Sequence, residues 1–286
     1  MRPDQAEGLR RLLDRSGLRV VSVSADGGGT AAVINLAGAL AEQGSDVLIL
    51  DERPQGQGVS AALGLNARFD LEHVIRRERD LEEVIVRGPG GILILPLARG
   101  AHSLAQLHAR EQLRLVERCA RLGIPVDTLL VHAAQGSASA LPCAPTAERE
   151  VIVIAGGGPA AITAGYVLIK RLSNGCGRRE FHVLLANVAS EREAQAIFAN
   201  MAGAARDYLQ VALNFMGYIP PDDKLQHAAR LRLPVVAAFP RAPAAASYRS
   251  LARAVADWPR AEQDGAGFGD FMRRLIHSND PRAAAA

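Results

Sequence analysis

Aromatic side chains make up only 4% of this 286-residue sequence. Ala, Leu and Val dominate instead, which favours helices packed on a buried sheet over a β-sandwich. Cysteine is scarce as well. Cys119, Cys143 and Cys176 lie far apart with no CxxC spacing, which argues against a disulfide framework and against a zinc site. An excess of one charge is missing too. The net charge is +3 and the basic residues are scattered, so there is no stripe for direct nucleic-acid binding. No apolar run approaches the ~20 residues of a membrane span, and no signal-peptide pattern opens the chain. A cytoplasmic location is therefore expected. The length suits one large α/β domain or two small ones.

What is present is an alternation of apolar runs and helical patterns. Residues 4–14 place Ala6, Leu9, Leu12 and Leu13 on one helical face behind Asp4 as N-cap. Short apolar runs at 18–24, 46–51, 91–97, 126–133, 150–156, 180–188 and 215–220 read as strands. Helical periods fill 30–43, 69–86, 101–122, 162–172 and 191–208, while 241–247 and 259–266 read as loops. Continuous apolar strands alternating with helices imply a mostly parallel sheet with helices on both faces, an α/β fold.

The stretch 21–37, "VSVSADGGGTAAVINLA", carries the chemistry. A strand runs into Gly27, Gly28 and Gly29, then Thr30, then a helix. That is the outline of a phosphate-binding loop, although glycines alone also make a plain turn. A working loop adds a lysine for the phosphate charge beside the hydroxyl for Mg²⁺. Here the residue before Thr30 is Gly29.

The order of motifs resembles the P-loop ATPases of the MinD/ParA family, in the FlhG/FleN branch of flagellar-number regulators, over nearly the whole chain. The family's K-G-G-V-G-K-T loop is followed by four residues and N-L-A. Here Thr30 is followed by "AAVI" and "NLA". By that match the second lysine falls on Gly29, and the signature lysine that reaches a partner's nucleotide falls on Ser24. In "LILDERPQGQG" (48–58), Asp51 matches the first aspartate, and the water-positioning aspartate falls on Arg53. In "VDTLLVHAAQG" (126–136), His132 stands where the Mg²⁺-directing aspartate belongs. Asn187 matches a base-contacting asparagine, and as a strand-end residue it would equally cap a turn.

Four charged catalytic positions are thus Ser24, Gly29, Arg53 and His132. The resemblance implies a P-loop NTPase-like fold whose ATP hydrolysis has been lost, with no catalytic residue, metal or cofactor expected. Weak ATP or ADP binding stays open, because a helix N-terminus still attracts anions. An ATP-dependent dimer is not expected without the signature lysine. The rival implied by the family is an ATP-binding ATPase that dimerises and cycles on the membrane.

The resemblance divides the chain into 1–17, 18–258 and 259–286. "DQAEGLR" (4–10) matches the family's D-Q-A-x-x-L-R activator motif in full. It implies that Asp4, Gln5, Ala6, Leu9 and Arg10 bind an FlhF-type GTPase and stimulate it. Gln5 would orient the attacking water, Leu9 would be an apolar anchor and Arg10 a clamp. At the other end, 268–276 carry Phe268, Phe271, Met272, Leu275 and Ile276 at helical spacing. The family implies a membrane-targeting helix here, peripheral on the inner face of the plasma membrane. The alternative is a last helix docked on the protein body. Further implied partners are flagellar switch (C-ring) proteins or a flagellar transcription activator.

Overall fold

The structure is a computed structural model that describes residues 17–25, 29–54, 56–104, 106–133, 150–260 and 267–278. The activator motif at 4–10, and Gly27 and Gly28, lie outside the described residues. One sheet of eight strands organises the molecule, in the order β3-β4-β2-β5-β1-β6-β7-β8. The strands are β1 (Arg19–Ala25), β2 (Val47–Asp51), β3 (Val86–Arg87), β4 (Leu93–Pro96), β5 (Thr128–His132), β6 (Glu150–Gly156), β7 (Glu180–Ala186) and β8 (Ala212–Ile219). All pairings are parallel except β3 with β4.

Besides a 3-10 turn at Pro89–Gly91, twelve α-helices lie among the described residues. They are α1 (Gly29–Glu42), α2 (Val59–Ala62), α3 (Leu71–Ile75), α4 (Leu81–Val84), α5 (Gly100–Leu104), α6 (Ala109–Ala120), α7 (Pro159–Cys176), α8 (Glu191–Leu209), α9 (Asp223–Arg230), α10 (Val235–Ala238), α11 (Pro243–Ala256) and α12 (Phe268–Ser278).

The apolar runs have this form because both sheet faces are covered. Successive strand residues point to opposite sides. Val21, Ile49, Leu130 and Ile152 join one core with Val33, Leu36 and Leu40 of α1 and Leu251 and Val255 of α11. Their neighbours Val20, Leu48, Leu50, Leu129 and Val131 join a second core with Leu71, Leu115 and α12. A third cluster packs Val151, Val153, Phe181 and Val183 under α7 and α8.

Several expectations are corrected. The helix expected over 69–86 is two short helices, because Asp70 and Asp80 each start one with a capping box and Arg77 between them has φ 63°. The helix expected over 101–122 is interrupted, and restarts at a capping box in which Glu111 accepts from His108 N. The expected loop at 241–247 is the start of α11, with Pro243 in its first turn. The two-residue strand β3 was too short to leave a pattern. Cys176 is disulfide-bonded, contrary to the reading of the cysteine spacing, whereas Cys119 is a free thiol whose pKa burial pushes up to about 12.

The C-terminal stripe packs on the protein body. Phe268, Phe271, Met272, Leu275 and Ile276 are all buried, three of them at 0% exposure, against the second core. The helix docks on α6 so closely that a Cβ at Gly269 would sit 2.6 Å from Ala120 Cβ and 2.8 Å from its Cα. Glycine is required there by backbone approach. The docked alternative is the one observed, with α12 packed against the second core. Among the described residues no helix is long and apolar enough to cross a membrane.

Candidate functional site

The C-terminal ends of parallel strands are where doubly wound sheets bind ligands. Here β1 leads towards α1, and Asp51 and His132 are the last residues of β2 and β5. The strand register makes these two direct neighbours and also sets His132 opposite Val23 of β1. Sequence distance is thereby converted into contact.

His132 Nδ1 lies 2.8 Å from Asp51 Oδ1, with both side chains about 95% buried. An ionised carboxylate only accepts, so the ring donates from Nδ1. The same Oδ1 accepts from Arg53 N at 3.2 Å, and Oδ2 accepts from Val59 N at 2.6 Å. Both oxygens of Asp51 are therefore committed to protein donors. The fit is close, since a Cβ at Gly58 would stand 2.2 Å from Oδ2. Gly58 leaves room for Asp51 to hold the start of α2.

The other edge of His132 faces α1. A Cβ built at Gly29 would be 3.6 Å from His132 Nε2 and 3.2 Å from Ala25 Cβ. The replacements at 29 and 132 are neighbours in space. A lysine at 29 would begin beside the imidazole rather than beside an acid. Ser24 is buried in β1 between β5 and β6. Thr30 is half-buried and donates from Oγ1 to Gln57 O at 3.4 Å. Arg53 is half-buried, and its Nε has no hydrogen-bond partner.

Next to Thr30 lies a cavity of about 780 Å³. Thr30, Asn187, Pro221, Asp222, Gln226 and Tyr248 are among its walls. That volume falls in the range of small-molecule sites. Asn187 is exposed with φ 57°, so the structure brings it together with Thr30 in the cavity but not with Asp51, Arg53 or His132. Asn35 of "NLA" plays a structural part: Oδ1 accepts from Val235 N at 2.7 Å and Nδ2 donates to Ala31 O at 2.8 Å.

The wall formed by Pro220, Pro221 and Asp222 was not anticipated. Its signal was the turn-forming "PPDD" directly after a strand, followed by a helix whose N-cap Asp222 accepts from Lys224 N at 2.9 Å.

No family model matches the sequence. The chain is 31% identical over 262 residues to the antiactivator FleN of Pseudomonas aeruginosa, covering 91% of this chain and 94% of that protein. It is 23% identical to the flagellum site-determining protein YlxH of Helicobacter pylori, over 69% of this chain and 67% of that one. Among solved structures, the MinD cell division protein of Aquifex aeolicus superposes with a TM-score of 0.62 at 19% identity, over 86% of this chain and 100% of that one. A ParA family ATPase from Chlorobium tepidum gives 0.58 at 15% identity, over 83% and 99%. The structural likeness shows the fold and the identity to FleN shows the descent: the chain belongs to the FlhG/FleN branch of the MinD/ParA-type P-loop family.

Proposed function

We propose that this protein regulates flagellar assembly without an ATP cycle of its own, by binding an FlhF-type GTPase and stimulating it. The observation that carries the first half is the Asp51–His132 pair. In phosphoryl transfer the acidic positions must hold Mg²⁺ and orient water. Here the one retained acid has both oxygens occupied by protein donors, and its neighbour across the register is an imidazole. Gly29 supplies no charge for the phosphates, and buried Ser24 has no reach towards a second molecule.

Similarity to an antiactivator and to a flagellum site-determining protein supports a regulatory role in flagellar assembly. The second half of the proposal rests on the full D-Q-A-x-x-L-R match at 4–10. Its glutamine supplies an amide of the kind that orients water in other GTPases. The cavity beside Thr30 and Asn187 favours one addition: a nucleotide held there would act as a structural ligand rather than a substrate.

The test adds the full chain, and separately a peptide of residues 1–17, to purified FlhF from the same organism. GTP turnover should rise with both. Gln5→Ala should abolish stimulation while sparing binding, because the amide acts mainly in the transition state. Leu9→Asp should abolish both by placing a charge in an apolar contact. Unchanged turnover at saturating protein would remove the activator role.

A further inference from the structure

We propose that the groove between α3 and α6 docks an acidic, amphipathic helical segment of a partner protein, through Arg77, Arg114 and Arg121. The groove encloses about 350 Å³ and shares no wall residue with the cavity beside Thr30. Its arginines are scattered in the sequence, and the fold gathers them. Arg114, Arg118 and Arg121 come from α6 and its C-cap, and Arg77 from the turn that ends α3.

The charges select an anionic partner. Four arginines line the groove against two acids, Glu111 and Glu117. Arg118 is already used: it donates from Nη1 to Val74 O and Arg79 O and lies 3.8 Å from Asp80. Glu111 is used too, accepting from His108 N. Acids near the rim have partners of their own, Glu72 with Arg76 and Glu83 with Arg79. What is left is Arg77, Arg114 and Arg121 against Glu117. None of these three arginines has an ion pair among the described residues. Like charges gathered in one groove repel, and carboxylates placed among them relieve that repulsion.

Arg77 adds a second observation. Its φ of 63° is left-handed, and its N–H closes α3 by donating to Val74 O at 3.1 Å. Glycine fills such a helix-ending position with less strain. An arginine there brings its charge to the groove at a cost to the fold.

The shape favours a peptide over a lone ion or a bilayer. Arg114 and Arg121 are seven residues apart, about 10 Å along α6. One carboxylate or phosphate cannot span that distance, whereas two acids two turns apart on a helix can. The floor includes half-buried Ile75, and Leu113, next to Arg114 on α6, is 60% exposed. That surface suits apolar side chains flanked by acids. A bilayer presents its headgroups outermost and its acyl chains beneath, so it would meet the arginines and not the floor.

Fluorescence anisotropy of the full chain with a labelled, alanine-rich helical peptide tests this. The peptide carries two glutamates at the spacing of Arg114 and Arg121, with leucines between them. It should bind with a Kd of about 100 μM at low salt. Replacing its glutamates by glutamines should weaken binding at least about tenfold. Arg114→Glu with Arg121→Glu should abolish binding. Arg171→Glu with Arg192→Glu, the same charge change on α7 and α8, should leave the affinity within about twofold. Thermal melts confirm that both pairs fold. Arg77→Gly should weaken binding about threefold while its melting temperature stays at or above that of the parent. The proposal is overturned by equal binding of the glutamine peptide, by an affinity unmoved in the Arg114 and Arg121 pair or in Arg77→Gly, or by an equal loss in the control pair. No saturation below about 5 mM would also overturn it. So would sedimentation with phosphatidylglycerol vesicles, lost in the Arg114 and Arg121 pair, without peptide binding: the groove would then read lipid.

Discussion

Phe271→Glu should cost this protein about 4 kcal/mol of stability and lower its melting temperature by roughly 10 °C. The ring is fully buried between α12 and the second core, beside Met272 and Leu275. The substitution removes a large apolar side chain and puts an unpaired carboxylate in its place. Gly269→Leu should act in the same direction by a different route, because its side chain would start within 3 Å of the Ala120 backbone. Circular dichroism melts of both variants read this directly. A helix acting only as a lipid anchor would give the opposite result: an unchanged melt, with Phe271→Glu lost from anionic vesicles in sedimentation.

His132→Leu should be the other damaging change, by about 3 kcal/mol in urea denaturation. It leaves Asp51 buried with two backbone donors but without its imidazole. Removing one partner of a buried pair is costly because the survivor keeps its desolvation penalty. Asp51→Leu together with His132→Leu should recover much of the loss, since no buried polar group is then left without its partner. A double variant no better than the sum of the singles would show that the two side chains are not coupled.

The central strands were legible because each is a short apolar run buried on both faces, and β2, "VLILD", is buried at every position, whereas the two-residue edge strand β3 left no pattern. The helices were less so. Asp70 and Asp80 look like ordinary charges inside an amphipathic stretch until their capping bonds are seen. In the α11 segment, Pro243 and a run of alanines resemble a loop, although proline is well tolerated in a helix's first turn.

At the site, every replaced residue could be named from the sequence. Their pairing could not, because Asp51 meets His132 only through the β2–β5 register, and a strand's sequence does not carry its register against a parallel partner. The C-terminal stripe shows the same limit from the apolar side. Its period identifies a face that must be covered, but lipid and protein satisfy the same period. Gly269 was the residue that distinguished them, since a lipid surface has no need of close backbone approach.

The most direct test is phosphate release from ATP with Mg²⁺ by the purified protein. The expected rate equals the blank without protein and does not change on Thr30→Ala. Release above the blank that disappears in Thr30→Ala would contradict it, because the hydroxyl would then be working in a site that this geometry describes as closed by Asp51 and His132.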